Sequence, residues 1–462
     1  MSPAAQLDDA TLATIDRWLE YRTWHSQVPG AQVAIGLAGE EVFSKAYGFA
    51  DLEGQVPMRT DHLFRIASHS KTFTSTLVLQ LVEQGELGVD DPLGRHLPVV
   101  ADDPVLGDLR IRELLEHTSG LLRDGLDADY WQFSRPFPDQ EQLLALVREG
   151  GAKASPGEQY AYSNLGYSLL GLLVEAKTGL PYAQAARTRI VDPLGLPNTA
   201  AVYLADRASD YAVGYSGLHQ SAERTPLEHI DTAAMDAATG FTSTATDLVR
   251  YFTAHRFGDS RLLDDRTKRL QQRRANATDP ESAAAGGYGW GLGVEDIDDT
   301  RFVGHGGGYP GHITKTLLDP STGLVVSVLT NAIDGPASNL ARGVVQLVQG
   351  ARRHAEESSG KSEQTAAAAA EALDWTGRYA STWGVLDIAL VGGRLLGLDP
   401  TEWAPLESVS RLEVVGDGRL KIAAGPGGGS VGEFVTRQVT GGEVQWLRYG
   451  GGSLRPFPIP GR

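Results

Sequence analysis

The chain has 462 residues, of which 41% are hydrophobic and 21% are charged, the balance of an ordinary globular protein. Its formal net charge of -17 argues against nucleic acid or an anionic membrane as a partner. The absence of cysteine excludes disulfides, thiolate nucleophiles and cysteine-bearing zinc sites. Residues 1–10 contain no apolar run, and no stretch approaches the ~20 apolar residues of a membrane span, so we expect a cytoplasmic protein.

The first part of the chain predicts a helix and then a β-hairpin. Apolar residues recur with helical spacing over Thr11–Trp24. Gln32–Leu37 and Val42–Tyr47 are typical of strands joined by a short turn. Further helices are predicted over Thr72–Gln84, Ile111–His117 and Tyr167–Lys177.

Strands return late in the sequence. Phe302–Val303, Thr314–Asp319 and Leu324–Thr330 are predicted strands, and Ala337–Leu347 resumes helical spacing. A hairpin near the start, strands near the end and helices between them predict one antiparallel sheet built from both ends of this region. That is an α+β layout.

Composition changes sharply at Arg352–Glu371, which is charged, then polar, then rich in alanine. Beyond it, Trp375–Ile459 is rich in glycine and in short alternating runs. We therefore predict a first domain over residues 1–351, a linker over 352–372 and a small C-terminal β domain over 373–462. Short strands of this kind favour a β-barrel for the last domain.

The first motif with chemical content is Ser68-His69-Ser70-Lys71, at the start of a predicted apolar helix. At this spacing Ser68 and Lys71 share one face of a helical turn. A lysine in a partly buried site loses its proton more easily than in water, and a serine nucleophile needs such a base. Ser358 and Lys361 have the same spacing, but no apolar helix follows them. We therefore predict Ser68 as the nucleophile and Lys71 as its base.

The second motif is Tyr162-Ser163-Asn164, in a loop that leads into a predicted helix. A tyrosine hydroxyl can relay a proton, and the Asn164 amide can hold both Lys71 and a substrate carbonyl. Taken alone, a buried tyrosine and a helix-capping asparagine would explain the pair equally well.

The third motif is the run from Gly304 through His305, Gly306 and Gly307 to Gly308, beside a predicted strand. Glycines allow the backbone to approach a ligand closely, which makes Gly306 and Gly307 candidate substrate-binding positions. A strand N–H beside the N–H of Ser68 would form an oxyanion hole. A glycine-rich hairpin turn is the competing interpretation.

Together the three motifs resemble the serine β-lactamase and penicillin-binding protein family, whose class A form carries S-x-x-K, S-D-N and K-T-G. The Tyr-x-Asn version is similar to the class C branch, with its D,D-peptidases, D-aminopeptidases and esterases. The phrases at Leu115–Leu121 and Gly240–Leu248 add to the resemblance, which covers roughly residues 10–350. It implies a transpeptidase-type α+β domain, an antiparallel sheet flanked by helices. It also implies that the backbone amides of Ser68 and Gly308 form the oxyanion hole.

The third motif departs from the family pattern, because His305 stands where a lysine is often found. A lysine cation suits a substrate carboxylate, whereas histidine is mostly neutral near pH 7. Hydrolysis of β-lactams and recognition of a muropeptide carboxylate are therefore disfavoured relative to esterase, aminopeptidase or acyltransferase activity. We predict that His305 helps Tyr162 to deprotonate the acceptor.

A β-lactamase-like domain, a linker and a lipocalin-like β-barrel resemble the penicillin-binding-protein-type thioesterases. These stand-alone enzymes, such as the surugamide cyclase, macrocyclise nonribosomal peptides. The resemblance implies a peptidyl thioester with a terminal D-residue as substrate, presented on a carrier protein, and no cofactor or metal. Trp446 and Arg448 are candidate substrate-binding residues, since a ring can bind a peptide side chain and arginine a carboxylate or carbonyl. A barrel core with a solvated arginine is the alternative.

We therefore predict head-to-tail peptide cyclisation first. A D-stereospecific aminopeptidase, amidase or esterase comes second and differs only in using water as the acceptor. A non-catalytic penicillin-binding-like receptor comes third, and the simultaneous presence of Ser68, Lys71, Tyr162 and Asn164 argues against it. The oligomeric state stays open.

Overall fold

The computed structural model describes residues 7–219, 221–278, 286–358, 366–426 and 429–460. The described residues form two compact units: Val28–Ser338 is the larger, and the segments on either side of it make up the smaller. Among the described residues, no helix combines the length and the apolar character that crossing a bilayer requires. The helices are α1 Asp9–His25, α2 Ser70–Glu83, α3 Ile111–Leu115, α4 Gln140–Gly150, α5 Asn164–Thr178, α6 Tyr182–Ala186, α7 Asp192–Leu194, α8 Asp236–Thr239, α9 Ala245–Thr253, α10 Asp265–Gln271, α11 Ala337–Ser358 and α12 Ala366–Leu373.

Within the described part of the chain, thirteen strands belong to the larger unit and eight to the smaller. The first set is β1 Gly30–Leu37, β2 Glu40–Asp51, β3 Val56–Pro57, β4 Phe64–Arg65, β5 Gly214–Tyr215, β6 Pro226–Leu227, β7 Thr242–Ser243, β8 Asn276–Ala277, β9 Gly287–Tyr288, β10 Gly293–Ile297, β11 Thr300–Tyr309, β12 His312–Asp319 and β13 Leu324–Thr330. The second set is β14 Gly377–Ser381, β15 Gly384–Val391, β16 Arg394–Leu398, β17 Ser410–Gly416, β18 Arg419–Ala424, β19 Phe434–Thr440, β20 Glu443–Tyr449 and β21 Gly452–Pro456.

The larger unit is built on a nine-stranded antiparallel sheet, in the order β3-β2-β1-β13-β12-β11-β10-β9-β8. Strand β1 lies between its hairpin partner β2 and β13, with Ala31 opposite Thr330. The two ends of this region therefore meet in the middle of one sheet, which confirms the α+β prediction. Every residue of β1 and of β13 is buried, as expected for strands covered on both faces.

Helix α2 lies in the core of the larger unit, because almost all of its residues are buried. A helix that is buried on nearly all sides needs neighbours around it, and α2 contacts α5 and α8. The Phe73 ring stacks on Tyr251 at 3.8 Å and on Phe241 at 4.2 Å between ring centroids. This packing makes the first turn of α2 a rigid platform for the residues at its N-terminus.

The glycine-rich third motif is a strand, whereas the sequence predicted only Phe302–Val303 as one. Strand β11 runs from Thr300 to Tyr309 and pairs with β12 along the whole motif. The competing interpretation as a hairpin turn is therefore wrong. Glycines have low strand propensity, so only pairing with β12 reveals the strand.

The smaller unit contains a closed eight-stranded antiparallel barrel, β14 to β21 in chain order. The barrel closes where β14 pairs with β21, Tyr379 opposite Pro456. Its closed form confirms the predicted barrel. Helix α1 also belongs to this unit, where Thr14 Oγ1 donates a hydrogen bond to the Leu390 carbonyl at 2.9 Å.

The predicted boundary at residue 351 falls inside helix α11, which continues to Ser358. The residues after 351 are mainly Ala, Arg and Glu, which favour helix and leave this end largely exposed, so the helix needs no apolar face there. Most of the predicted linker that the structure describes is likewise helical, in α11 and α12. The compact units are divided at residues 27 and 338 instead, and the three predicted domains stay a prediction.

Candidate active site

Ser68 lies in the short turn Ala67–His69 that joins β4 to α2, and it is half-buried. Ala67 has a φ of +46°, a left-handed conformation that is costly for alanine. Hydrogen bonds from Ile66 N to the Phe241 carbonyl (3.0 Å) and from His69 N to the Ile66 carbonyl (3.1 Å) hold it. The strained turn presents Ser68 at the N-terminal end of α2, where the helix dipole favours developing negative charge.

Lys71 has a fully buried side chain. Its Nζ lies 3.2 Å from Ser68 Oγ, 2.6 Å from Asn164 Oδ1 and 2.9 Å from the Ala238 carbonyl oxygen. Burial lowers the pKa of Lys71 well below its usual value. A neutral amine has two N–H groups, which Asn164 and Ala238 accept, and its lone pair is then free for the Ser68 O–H. The geometry therefore suits Lys71 as the base.

Asn164 is the first residue of α5, but it is not the residue that caps this helix. Ser163 caps it, since its Oγ accepts the Gly166 N–H at 3.0 Å. The Asn164 side chain is free for other partners and spans the site, with Oδ1 on Lys71 and Nδ2 on Asp124 Oδ1 at 2.7 Å. The capping interpretation is thus wrong for Asn164.

Tyr162 completes the group around the serine. Its hydroxyl hydrogen-bonds to Ser68, and Lys71 Nζ lies 4.8 Å from the centre of its ring. Burial raises the pKa of Tyr162, so the phenol keeps its proton. The opposite directions of the two pKa shifts favour Lys71 as the group that takes the Ser68 proton and Tyr162 as a relay.

Strand β11 lies directly against the turn that carries Ser68. A Cβ atom on Gly307 would be 2.1 Å from the Ile66 carbonyl oxygen, so only glycine permits this approach. Strand β10 pairs with β11 only as far as Gly304, and among the described residues no other strand covers that edge farther on. Gly308 is exposed on this part of the strand. An open strand edge beside the serine is what an oxyanion hole requires.

His305 is buried, and both of its ring nitrogens have partners. Nδ1 lies 2.5 Å from the Gly306 carbonyl oxygen, which can only accept, so Nδ1 carries the proton. Nε2 therefore accepts the Tyr288 O–H, at 3.0 Å. Burial, with smaller effects from His69 and Lys71, lowers the pKa of His305 well below its usual value. The position where the family often has a lysine cation holds a neutral ring.

Sequence reasoning missed three residues that contact this group. Asp124 holds Asn164, Tyr288 holds His305, and the Ala238 carbonyl accepts from Lys71. Asp124 follows Leu115–Leu121 closely, but no motif singles it out. Tyr288 stands in a run of glycines and aromatics at 286–291, which was the only available signal.

Trp446 and Arg448 lie on β20 of the barrel, where they alternate with buried Leu447 and Tyr449. Arg448 is exposed, and its Cζ lies 5.5 Å from the centre of the Trp446 ring. Both side chains therefore point away from the barrel core. Their role in substrate binding stays a prediction.

Comparison with known proteins places the chain in a family. Residues 15–350 match the family model described as Beta-lactamase. Penicillin-binding protein 4 of Amycolatopsis lactamdurans is 31% identical over 330 residues, 68% of this chain and 84% of that protein.

Solved structures share the fold of this chain. The D-amino acid amidase of Ochrobactrum anthropi SV3, complexed with D-phenylalanine, has a TM-score of 0.63 at 27% identity and covers 73% of this chain and 99% of its own. SurE has a TM-score of 0.59 at 24% identity and covers 97% of this chain and 98% of its own, which shows a common fold over nearly the whole length. This chain belongs to the serine beta-lactamase family, on its penicillin-binding-protein-like side.

Proposed function

We propose that this protein is a serine acyltransferase that releases a nonribosomal peptide thioester, ending in a D-residue, as a head-to-tail macrocycle. Its family consists of serine hydrolases and acyltransferases. The observation that carries the proposal is the 3.2 Å contact of Ser68 Oγ with the buried amine of Lys71, beside the hydroxyl of Tyr162. A carrier protein is the partner that would present the thioester.

In acylation, Ser68 Oγ attacks the thioester carbonyl carbon while Lys71 Nζ takes the hydroxyl proton. A C–O bond forms, and the amides of Ser68 and Gly308 stabilise the oxyanion. When the tetrahedral intermediate collapses, the C–S bond breaks and the thiolate receives the proton from Lys71 through the Tyr162 hydroxyl. The products are an ester on Ser68 and a free thiol.

In the second half-reaction the peptide's own amino group attacks this ester. Its proton passes through Tyr162 and Lys71 to Ser68 Oγ as the C–O bond to the serine breaks. A cyclic amide leaves, and the catalytic groups regain their starting protonation. Both nitrogens of His305 already have partners, so the ring does not take the proton of the attacking amine itself. Its role in deprotonation is then indirect: it holds the Tyr288 hydroxyl, from which it accepts a hydrogen bond at 3.0 Å.

One observation supports an amine acceptor over water, and a second concerns the acyl donor. The likeness to SurE, the surugamide cyclase, extends over 97% of this chain and thus includes the barrel. The neutral ring of His305 supplies no positive charge for the free carboxylate of a cell-wall peptide. A substrate without that carboxylate, joined through a thioester, fits such a site better.

The barrel supplies two candidate contacts for the peptide. Arg448 is exposed, so it can donate to a carbonyl or carboxylate without the cost of burying its charge, and Trp446 offers an apolar surface beside it. We propose that the pair binds the peptide substrate. Arg448→Ala should then lower the ratio of cyclic product to free acid and leave acylation of Ser68 unchanged.

A D-stereospecific amidase, peptidase or esterase is the second candidate. The observation in its favour is the likeness to the D-amino acid amidase, which is 27% identical over 73% of this chain and was solved with D-phenylalanine. That enzyme class uses the same acyl-enzyme and differs only in accepting water. The two candidates can therefore be separated by the product alone.

The experiment that tests the proposal is mass spectrometry of the products from a linear peptide thioester with a terminal D-residue. Cyclic peptide has lost the thiol, whereas hydrolysed peptide has lost the thiol and gained one water. Mostly cyclic product supports the cyclase, and mostly free acid supports the D-specific hydrolase. The same peptide with a terminal L-residue is the matched substrate control.

Ser68→Ala is the control variant for the chemistry. It removes the nucleophile and should abolish both products, because a residual oxyanion hole cannot form the ester. Turnover that survives in Ser68→Ala would refute an acyl-enzyme on Ser68. Ser70→Ala, two positions away and bonded to Ala67 and Phe241 rather than to Lys71, tests whether disturbing the turn alone has the same effect.

A further inference from the structure

A buried carboxylate lies one side chain away from the catalytic lysine. Asp124 is 9% exposed and does not contact Lys71. Its Oδ1 accepts the Asn164 Nδ2–H at 2.7 Å, and Asn164 Oδ1 lies 2.6 Å from Lys71 Nζ. Carboxylate, amide and amine thus form a chain that ends at the Ser68 hydroxyl, 3.2 Å farther on.

We propose that Asp124 is the positioning residue of this site: its carboxylate fixes the direction of the Asn164 amide and supplies the negative charge that balances Lys71 when it takes the serine proton. This assignment rests on the proposed acyl-enzyme mechanism. Neither the motifs nor the family match identifies the residue.

The first step of the argument concerns the amide. Asparagine can present either its oxygen or its NH2 group to a neighbour, and only the oxygen can accept from Lys71. An ionised carboxylate accepts and never donates, so Asp124 can bind only the NH2 end of Asn164. The oxygen end must then point towards Lys71. Without Asp124 the Asn164 amide could rotate and present its NH2 group to Lys71 Nζ, whose own N–H groups need acceptors.

The second step concerns charge. A carboxylate in direct contact would hold Lys71 as a cation and remove its basicity. Asp124 acts through one amide, so its attraction raises the pKa of Lys71 against the larger lowering by burial. The attraction thus favours the protonated amine that forms during acylation, without the direct contact that would hold Lys71 as a cation beforehand. A base with a pKa near the working pH is the most effective.

The other groups that face Lys71 do not supply this charge. Arg123 is a cation, which lowers the pKa of Lys71, and it forms an ion pair with Asp124 at 3.2 Å. His117 and His305 are buried, and burial together with Lys71 lowers the pKa of each, so both are neutral. Tyr162 and Tyr167 present their rings to Nζ, at 4.8 Å and 5.8 Å, and burial raises the pKa of both phenols. Asp124 is thus the one carboxylate that acts on Lys71 among the described residues.

The third step concerns rigidity. Trp131 Nε1 donates to Asp124 Oδ1 at 3.1 Å, and Tyr130 Oη donates to the Asp124 carbonyl at 2.9 Å. The Asn164 N–H donates to the Arg123 carbonyl at 2.8 Å, which ties the start of α5 to the same loop. A supporting group held on several sides can keep a catalytic side chain in one orientation.

The test is the pH dependence of Ser68 acylation by a p-nitrophenyl ester, followed by intact-protein mass spectrometry. Asp124→Asn keeps an oxygen acceptor but removes the charge. Protonated Lys71 is then less stable, so the acidic limb of the rate profile should move to lower pH. Asp124→Ala also leaves the Asn164 amide unheld, and its acylation rate should fall by about 10²-fold because a misplaced catalytic group costs about that much.

Two variants separate positioning from folding. Asp247→Asn makes the same change at another buried aspartate. Asp247 accepts hydrogen bonds from Asn198 and Thr199, which are not residues of the site. This substitution should change thermal stability and leave the pH midpoint where it is in the wild type. Asp124→Glu keeps the charge but displaces the carboxylate, so it should keep the wild-type midpoint at a reduced rate, and it provides the test if Asp124→Asn does not fold.

The outcomes are distinct. Wild-type protein that is not acylated at Ser68 would overturn the proposed function, and this assignment with it. Normal wild-type acylation, with an Asp124→Asn midpoint equal to that of the wild type, would overturn the assignment alone. An Asp124→Glu midpoint shifted as far as that of Asp124→Asn would also overturn it, because the charge would then not be the cause.

Discussion

Two lysines of the larger unit, Lys71 and Lys268, have side chains with no exposed surface. Lys268 Nζ donates to the carbonyls of Arg256 and Asp259 and lies 3.3 Å from Asp265 Oδ1. Lys71 Nζ contacts a serine hydroxyl, an amide oxygen and one carbonyl, and its nearest carboxylate acts through Asn164. Neither side chain is exposed, yet their partners differ.

Depth of burial and partners together explain the difference in basicity. Burial lowers the pKa of both lysines, but the carboxylate of Asp265 bonds directly to Lys268 and opposes the effect. Only for Lys71 does the pKa fall well below its usual value. Lys71 is desolvated more deeply than Lys268, and its carboxylate also stands farther away, so the effect of burial is opposed less. Lys268 is a structural cation that links α10 to a loop, whereas Lys71 contacts the Ser68 hydroxyl and suits the role of base.

The largest expected effect comes from removing each amine. Lys71→Met should slow Ser68 acylation by about 10³-fold or more, since a positioned base contributes up to about 10⁴-fold. Lys268→Met should leave the acylation rate within a factor of about three, because the partners of Lys268 are Arg256, Asp259 and Asp265 and not the reacting groups. Single-turnover acylation of both variants measures this, and equal losses would break the comparison.

The next effect concerns the relay. Tyr162→Phe removes the hydroxyl that bonds to Ser68 and should reduce acylation and product release by about 10²-fold. The ring, which Lys71 faces at 4.8 Å, is kept in this variant. Tyr160→Phe, a half-buried phenol nearby without a bond to Ser68, is the matched control and should retain activity. A wild-type rate in Tyr162→Phe would leave Lys71 as the only proton carrier.

A third effect appears in stability against pH. Burial lowers the folded-state pKa of Lys71 below its unfolded value, so the unfolded chain binds more protons between the two. Stability from this residue therefore rises with pH across that window and is complete above the unfolded pKa of about 10.4. Lys71→Met should flatten the rise in urea midpoint from neutral to alkaline pH. An unchanged slope would contradict a neutral Lys71.

The smallest expected effect is the stability cost at Lys268. Lys268→Met leaves the buried carbonyls of Arg256 and Asp259 without their donor, a loss of about 1–3 kcal/mol in the free energy of unfolding. Chemical denaturation at a fixed pH measures it. A variant as stable as the wild type would show that this amine is no structural support.

Sequence patterns predicted much of this arrangement. The helical spacing of Thr72–Gln84 predicted α2 within two residues, and its apolar character predicted burial at the start, where Ser68 and Lys71 stand. The apolar, β-branched run over Leu324–Thr330 predicted β13 correctly. Such features are local, since each depends on residues that are neighbours in the chain.

The partners of the site could not be predicted in this way. Asp124 and Asn164 are 40 positions apart, and the Ala238 carbonyl reaches Lys71 from 167 positions away. Tyr288 and His305 meet only because β9 and β11 both pair with β10. Helix α11 also passed beyond the compositional change at residue 351, because solvated turns can continue a helix.

By itself the sequence determined which residues can react: a serine three positions before a lysine, a tyrosine before a helix, and glycines beside a strand. Only the tertiary structure decided which of two buried lysines is a base, because a pKa depends on the distance of charges in space. It likewise decided that His305 is buried, neutral and bonded on both nitrogens, since its partner Tyr288 comes from another strand. Reactive groups are encoded locally, but their protonation is set by contacts that only folding creates.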